Sequence, residues 1–225
     1  FTGLDGAPLS KRNGSLSIND LREMGYLPKA VANYLSRVGH TIPDNDLKTL
    51  EDLALVFETQ NISSSPSKFD IDQLLFWQKK TVESLTVNEC KEWLEKHLRD
   101  LPSDLNHEDF IELIKDNINF PEEAKNYLNK LFYQPLTAQT EVENIIKTAG
   151  KEFYLVAYKV IDSGFDNWIE ATKLIGGESG KKGKDLFMPL RVAITGQTKG
   201  PELDKVVDFI GVNRVLERVR EASEL

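Results

Sequence analysis

The sequence predicts a mainly α-helical fold in two or three units. Three observations carry that reading. Apolar residues recur at helical spacing through almost the whole chain, residues that cap helices punctuate those runs, and strand signals are few and short. No repeat period and no long low-complexity tract interrupts the pattern. A chain of 225 residues is long enough to bury a sizeable core.

The elements follow in order. Ser17-Ile18-Asn19-Asp20 offers a helix start, Leu21, Met24 and Leu27 keep one apolar side, and Pro28 opens a second helix at its first turn. Ala30, Val31, Tyr34, Leu35 and Val38 line that second helix, which Gly39 stops. A third spans 47–57, with Leu47, Leu50, Leu53, Ala54 and Phe57 on one face. The polar stretch NISSSPSK at 61–68 is a loop, and 69–85 resumes the helical pattern through Leu74, Leu75 and Trp77. Thr86 and Glu89 have the spacing of a capping box, which starts a helix that runs to about Arg99, before Pro102. Helices over 107–117 and 121–132 are joined by a tight turn at Asn117-Ile118-Asn119-Phe120. The last third predicts helices at 140–149, 151–163 and 165–175, a glycine-rich break GGESGKKGK at 176–184, and helices at 185–195, 202–210 and 211–222.

Composition excludes several classes. Hydrophobic residues at 40% and charged residues at 28% are ordinary for a globular protein. No apolar run approaches the roughly 20 residues of a membrane span, and the N-terminus lacks the basic start and apolar core of a signal peptide, so no membrane partner and a cytoplasmic address are expected. Cys90 is the single cysteine, which excludes a disulfide framework and a cysteine-built zinc site within the chain. His40, His97 and His107 lack metal-ligand spacing, so no metal site is expected and each is read as a surface or capping residue. Trp77, Trp93 and Trp168 are assigned to cores.

The net charge of -8 argues against general coating of nucleic acid, but the charge is uneven. Residues 1–75 hold 7 basic and 10 acidic residues, 76–150 hold 9 and 14, and 151–225 hold 12 and 12. From Lys173 to Arg220 the balance turns to 10 basic against 6 acidic, a surplus that can meet a phosphate backbone locally. Within it, Ser179-Gly180-Lys181 lacks the preceding strand and the GxxxxGK[ST] spacing of a phosphate-binding loop, and alone reads as a solvated basic loop.

Four segments taken in order say more: PLSKRNG at 8–14, GYLPKAVANYLSRVG at 25–39, FDIDQLLFWQKK at 69–80, and GKKGKDLFMPLRVAITGQTKGPELDKVVDFIGVNRVLERV at 180–219. Together they resemble the bacterial glutamyl-tRNA synthetases, class I aminoacyl-tRNA synthetases, over essentially the whole chain. The last block is the most specific. The resemblance implies a C-terminal part: Ser10-Lys11-Arg12 matches the end of the KMSKS signature that follows the catalytic Rossmann domain, and only nine residues precede Ser10. The expected organisation is the end of the catalytic region at 1–14, a helical stem-contact domain at 15–85, and a two-part all-helical anticodon-binding domain at 86–139 and 140–225. The full-length enzyme would use ATP, Mg²⁺, glutamate and glutamate tRNA, as a monomer. This chain alone would be inactive and hold no cofactor.

The resemblance also assigns roles. Attack of the glutamate carboxylate on the ATP α-phosphate expels pyrophosphate, and a lysine on a mobile loop can close over the charge that builds there. Lys11 takes that part, assisted by Ser10 and Arg12 in binding ATP. Pro8 stands where the family usually carries a basic residue, which makes the loop entry stiffer and less charged. Arg191 of the PLR motif meets the anticodon, Lys184 precedes it, Gly200-Pro201 match a turn that touches anticodon bases, and Lys173 and Lys182 join the same surface. Guanidinium suits the work because it bonds a base edge bidentately or stacks on it. Met188, Pro189 and Leu190 are assigned to packing. Family members that accept only glutamate tRNA carry an arginine in the turn of the first anticodon subdomain; Asn117 aligns there, with Lys115 as the alternative register. A neutral amide relaxes that selection, so glutamine tRNA enters as an additional or alternative substrate. A free-standing tRNA-binding module and a helical interaction scaffold are the rival readings.

Overall fold

The computed structural model describes Thr2, residues 16–103 and residues 105–225. Among these residues there is no strand, only the single bridges Thr2 with Lys68 and His40 with Ile62. The helices are α1 Ile18–Met24, α2 Pro28–Leu35, α3 Leu50–Val56, α4 Ile71–Ser84, α5 Val87–Leu94, α6 His107–Ile114, α7 Pro121–Leu128, α8 Thr140–Ala149, α9 Lys151–Asp162, α10 Trp168–Ser179, α11 Lys184–Thr195 and α12 Leu203–Ser223. They form two compact units: residues 1–95 with 118–123, and residues 96–117 with 124–225.

The first unit is organised by α2 against α4. Leu21, Tyr26, Ala30, Tyr34, Leu74 and Trp77 make its buried cluster, with Leu27, Val31, Phe69 and Phe120 packed against it. Polar side chains fix the turns around that cluster. The Gln78 carboxamide is fully buried; it accepts from Leu27 N–H at 2.9 Å and donates to Asn119 O at 2.8 Å. Gly25 ends α1 at φ 92°, its carbonyl accepts from Trp93 Nε1 at 3.0 Å, and a Cβ there would lie 2.4 Å from Pro121 Cδ. The turn needs glycine for both its backbone and its contact. Capping boxes open α1 at Ser17, α3 at Thr49 and α5 at Thr86, so α3 starts three residues later than periodicity alone predicts.

His40 departs from its expected surface or capping role. It is 7% exposed, stacks on Phe57 at 4.7 Å between ring centres, and has its Nε2 at hydrogen-bond distance from both Glu58 N and Glu58 O. Sequence spacing carries no sign of this contact, because Phe57 and Glu58 reach His40 through the loop that follows α3.

The second unit packs α9 against α12 and α10, and α11 against α8 and α12. Phe110, Ile111, Leu128, Leu131, Ile146, Tyr154, Leu190 and Val215 are buried there. Where the sequence predicts a break at 176–184, α10 instead continues through Gly176 and Gly177 to Ser179. At Gly176 a Cβ would meet Leu186 Cδ2 at 3.0 Å and Lys181 O at 3.2 Å, so the missing side chain admits a close approach rather than ending the helix. The helix also starts later, at Trp168, because the Asn167 side chain caps it by accepting from Glu170 N–H. Helices predicted over 107–117 and 121–132 end early, in a 3₁₀ turn at Lys115–Asn117 and a π turn at Asn129–Tyr133. The two helices predicted over 202–222 meet at Gly211, where the backbone leaves the helical region at φ 77° and ψ 157°.

Candidate nucleic-acid interface

The candidate interface is built on α11 and the turn after it. Pro189 lies inside α11 and brings no N–H to the ladder, while Leu186, Leu190, Val192, Ala193 and Ile194 bury its core side. Arg191 therefore faces the turn. Its Nη1 donates to Pro201 O at 2.8 Å, which anchors one arm of the guanidinium. Thr195 Oγ1 accepts from Gln197 N–H at 3.1 Å and donates to Arg191 O at 2.7 Å, fixing the chain as it leaves the helix. Gly200 is held against Tyr127, whose hydroxyl would be 3.2 Å from a Cβ at that position. Sequence reasoning named Arg191 and the turn Gly200-Pro201 in different motifs, and the fold brings them together.

Beside this turn a groove of about 670 Å³ opens between α8 and α11. Lys181, Lys184 and Lys199 line it with Glu141 and Asp185, and Ile145, Met188 and Pro189 supply apolar surface. Pro189 and Leu190 are buried as expected, but half-buried Met188 lines the groove as well as packing. Lys199 and the α8 residues Asn144 and Thr148 were not singled out by the sequence reading, and Lys181, read there as part of a solvated basic loop, holds its ammonium 5.6 Å from the Phe153 ring centre. For α8 no sequence signal marks a site, since its outer face reads as ordinary solvated helix. Among the other expected residues, Lys182 and Lys184 are exposed around the start of α11, Lys173 is exposed on α10, and Asn117 is exposed at the end of the 115–117 turn. Ser10, Lys11 and Arg12 lie outside the described residues.

The basic surplus between 173 and 220 is not one patch. Arg214 donates to Leu131 O and Phe132 O, Arg218 donates to Gln134 O at 3.0 Å and Lys130 O at 3.2 Å, and both thereby cap the carbonyls of the π turn. Arg218 is 2% exposed; burial pushes its pKa below the ordinary arginine value, and the Glu221 carboxylate at 3.1 Å works against that. Glu221 also accepts from Leu136 N–H at 2.8 Å. Lys205 pairs with Glu202 at 2.6 Å, a hydrogen bond that raises its pKa, and Arg220 pairs with Glu224. What faces solvent without such engagement is concentrated around α11.

Residues 85–223 match the family described as anticodon binding domain. The chain belongs to this family. Residues 1–76 match the family of class I tRNA synthetases (E and Q), catalytic domain. Relatives of this anticodon-binding family member are named glutamate-tRNA ligases: one from Halorhodospira halophila is 42% identical over 100% of this chain and 47% of its own length. Another from Nitrosococcus oceani is 36% identical over 100% of this chain and 48% of its own length. The chain thus spans about half the length of the curated relatives it matches. The crystal structure of glutamate-tRNA synthetase from Elizabethkingia anophelis has the same fold, with a TM-score of 0.81 at 19% identity, covering 100% of this chain and 50% of that one. Among the described residues, no helix is long and apolar enough to cross a membrane.

Proposed function

We propose that the chain is the tRNA-binding part of a glutamate-tRNA ligase, which joins glutamate to tRNA at the expense of ATP. The observation that carries this is the Arg191 arrangement, a guanidinium anchored to Pro201 O at 2.8 Å beside a lysine-lined groove, inside the segment that matches the anticodon-binding family. An anchored guanidinium holds its remaining N–H donors in a fixed plane, which suits reading a base edge. Lys182 and Lys184, exposed on the same side of the sequence motif, serve phosphates, and Lys173 extends the cationic surface. Residues 15–85 meet the inner bend of the tRNA, and 86–139 with 140–225 make the two anticodon subdomains. In the full-length monomer Lys11, with Ser10 and Arg12, acts on the leaving pyrophosphate of Mg²⁺-bound ATP.

Titrating the purified chain with a glutamate tRNA transcript tests the reading. Saturable binding that Arg191→Ala weakens supports it; aminoacylation by this chain alone, or binding indifferent to Arg191, contradicts it. A second reading concerns selection. Asn117 is exposed at the end of the turn after α6, a place from which a neutral amide could contact a base without the charge of an arginine. On this reading glutamine tRNA is charged as well as, or instead of, glutamate tRNA, and Asn117→Arg in the full-length enzyme depresses that reaction relative to glutamate tRNA.

A further inference from the structure

The apolar face that periodicity assigns to α3 is not core. Of Leu50, Leu53, Ala54 and Phe57 only Leu53 is buried; Leu50 is 64% exposed, and Leu55 on the adjoining side of the helix is 84% exposed. Leu50 and Ala54 stand one turn apart, and Phe57 closes the helix beyond them. One side of the Phe57 ring stacks on buried His40 at 4.7 Å, which fixes it, while the rest stays open to solvent. Ile62, half exposed, bridges to His40 and extends the same surface. A scattered exposed leucine needs no explanation, but a grouped and rigid set marks a contact surface. Its charge has one sign. Glu51, Asp52 and Glu58 are exposed on and beside α3, no lysine or arginine occurs between 49 and 67, and Lys48 pairs with Asp44 at 3.1 Å. RNA phosphates and anionic lipid are repelled by such a margin, and the same face of a second copy brings the same carboxylates.

We propose that the α3 surface docks a basic amphipathic helix of another protein, apolar on one side and carrying lysines or arginines along its margins. The apolar side covers Leu50, Ala54, Leu55 and Ile62, as a helix laid on an apolar surface does. Phe57 is the anchor, because its stacking on His40 leaves little side-chain freedom to lose on binding. Cations at the margins of the incoming helix meet Glu51, Asp52 and Glu58, which selects a basic partner over an acidic one. No residue of the Arg191 turn takes part, so the surface stands apart from the tRNA reading.

The test titrates the 225-residue chain with a synthetic helical peptide of leucine and lysine, and with its leucine and glutamate counterpart. The basic peptide binds saturably and the acidic one does not. Leu50→Gln with Leu55→Gln leaves the net charge unchanged and weakens the basic peptide about 10- to 100-fold, the range for two leucines that lose their cover. Glu51→Gln weakens it about 2- to 5-fold at low salt. Both leucines are exposed, so the melting curve stays where it was; if it moves, Leu55→Gln alone, at the more exposed position, repeats the comparison. Absence of binding, equal affinity for the two peptides, or equal affinity of the double variant overturns the proposal. So does a dimer of this chain that the double variant dissociates, since a second copy is then the occupant. Binding to this chain but not to the full-length enzyme overturns it as well, because the rest of that protein then covers the face. Each of these outcomes leaves the Arg191 reading to its own titration with tRNA.

Discussion

The arginines of α12 and the cations around α11 come from the same stretch of sequence and carry the same charge, yet their surroundings divide them. Arg214 and Arg218 turn inward, where carbonyls of the 129–133 turn and of Gln134 receive their N–H groups. Lys182, Lys184 and Lys199 are exposed, and Arg191 is tied by one arm only. A guanidinium that fills a socket of carbonyls stabilises a fold; one with a single anchor and open donors is available to a ligand. Counting charges along a sequence cannot separate the two.

The sharpest way to break this comparison is to remove the socketed arginine. Arg218→Ala removes the cation from Glu221 and leaves the carbonyls of Lys130 and Gln134 unmatched, which costs about 2–5 kcal/mol, the range for two acceptors that lose their donors. Urea denaturation reads it as a lower midpoint. A drop under about 1 kcal/mol would move Arg218 into the class of weak surface pairs. A stability effect in the other unit gives the parallel case without charge. Gly25→Ala forces a Cβ toward Pro121 Cδ at a positive φ, costing about 2 kcal/mol or more in the same assay.

The α11 side predicts smaller effects of another kind. Arg191→Ala costs about 1–3 kcal/mol of tRNA binding and relaxes discrimination at one base, with the urea midpoint nearly unchanged. Lys182→Ala weakens all tRNAs alike and reduces the slope of log affinity against log salt by about one unit. A slope equal to that of the unaltered chain would remove Lys182 from the phosphate contacts. The smallest expected change is one of ratio: Asn117→Arg in the full-length enzyme lowers charging of glutamine tRNA relative to glutamate tRNA. An unmoved ratio assigns selection elsewhere and leaves the family membership untouched.

Much of the fold was legible because helices announce themselves locally. Ser17, Thr86 and Pro28 signal their helix starts through side chains and φ preferences that act within a few residues. Long-range contacts were not legible. Gly176 reads as a breaker because glycine has low helix propensity, and only the approach of Leu186 reveals why the helix persists. His40 reads as surface until Phe57 covers it. For the site, the PLR and Gly-Pro motifs gave Arg191, Gly200 and Pro201, but their hydrogen bond depends on how the turn closes. The α8 wall had no motif, because Asn144 and Thr148 acquire meaning only opposite Met188 and the lysines.

The central claim is that the cations around α11 hold RNA while Arg214 and Arg218 of α12 hold the protein together. Its most direct test is the affinity of the 225-residue chain for a glutamate tRNA transcript, at one fixed salt concentration, with and without Arg191→Ala. The account predicts saturable binding that the substitution weakens by about 1–3 kcal/mol in a chain that still folds. Equal affinity for the two proteins would contradict it.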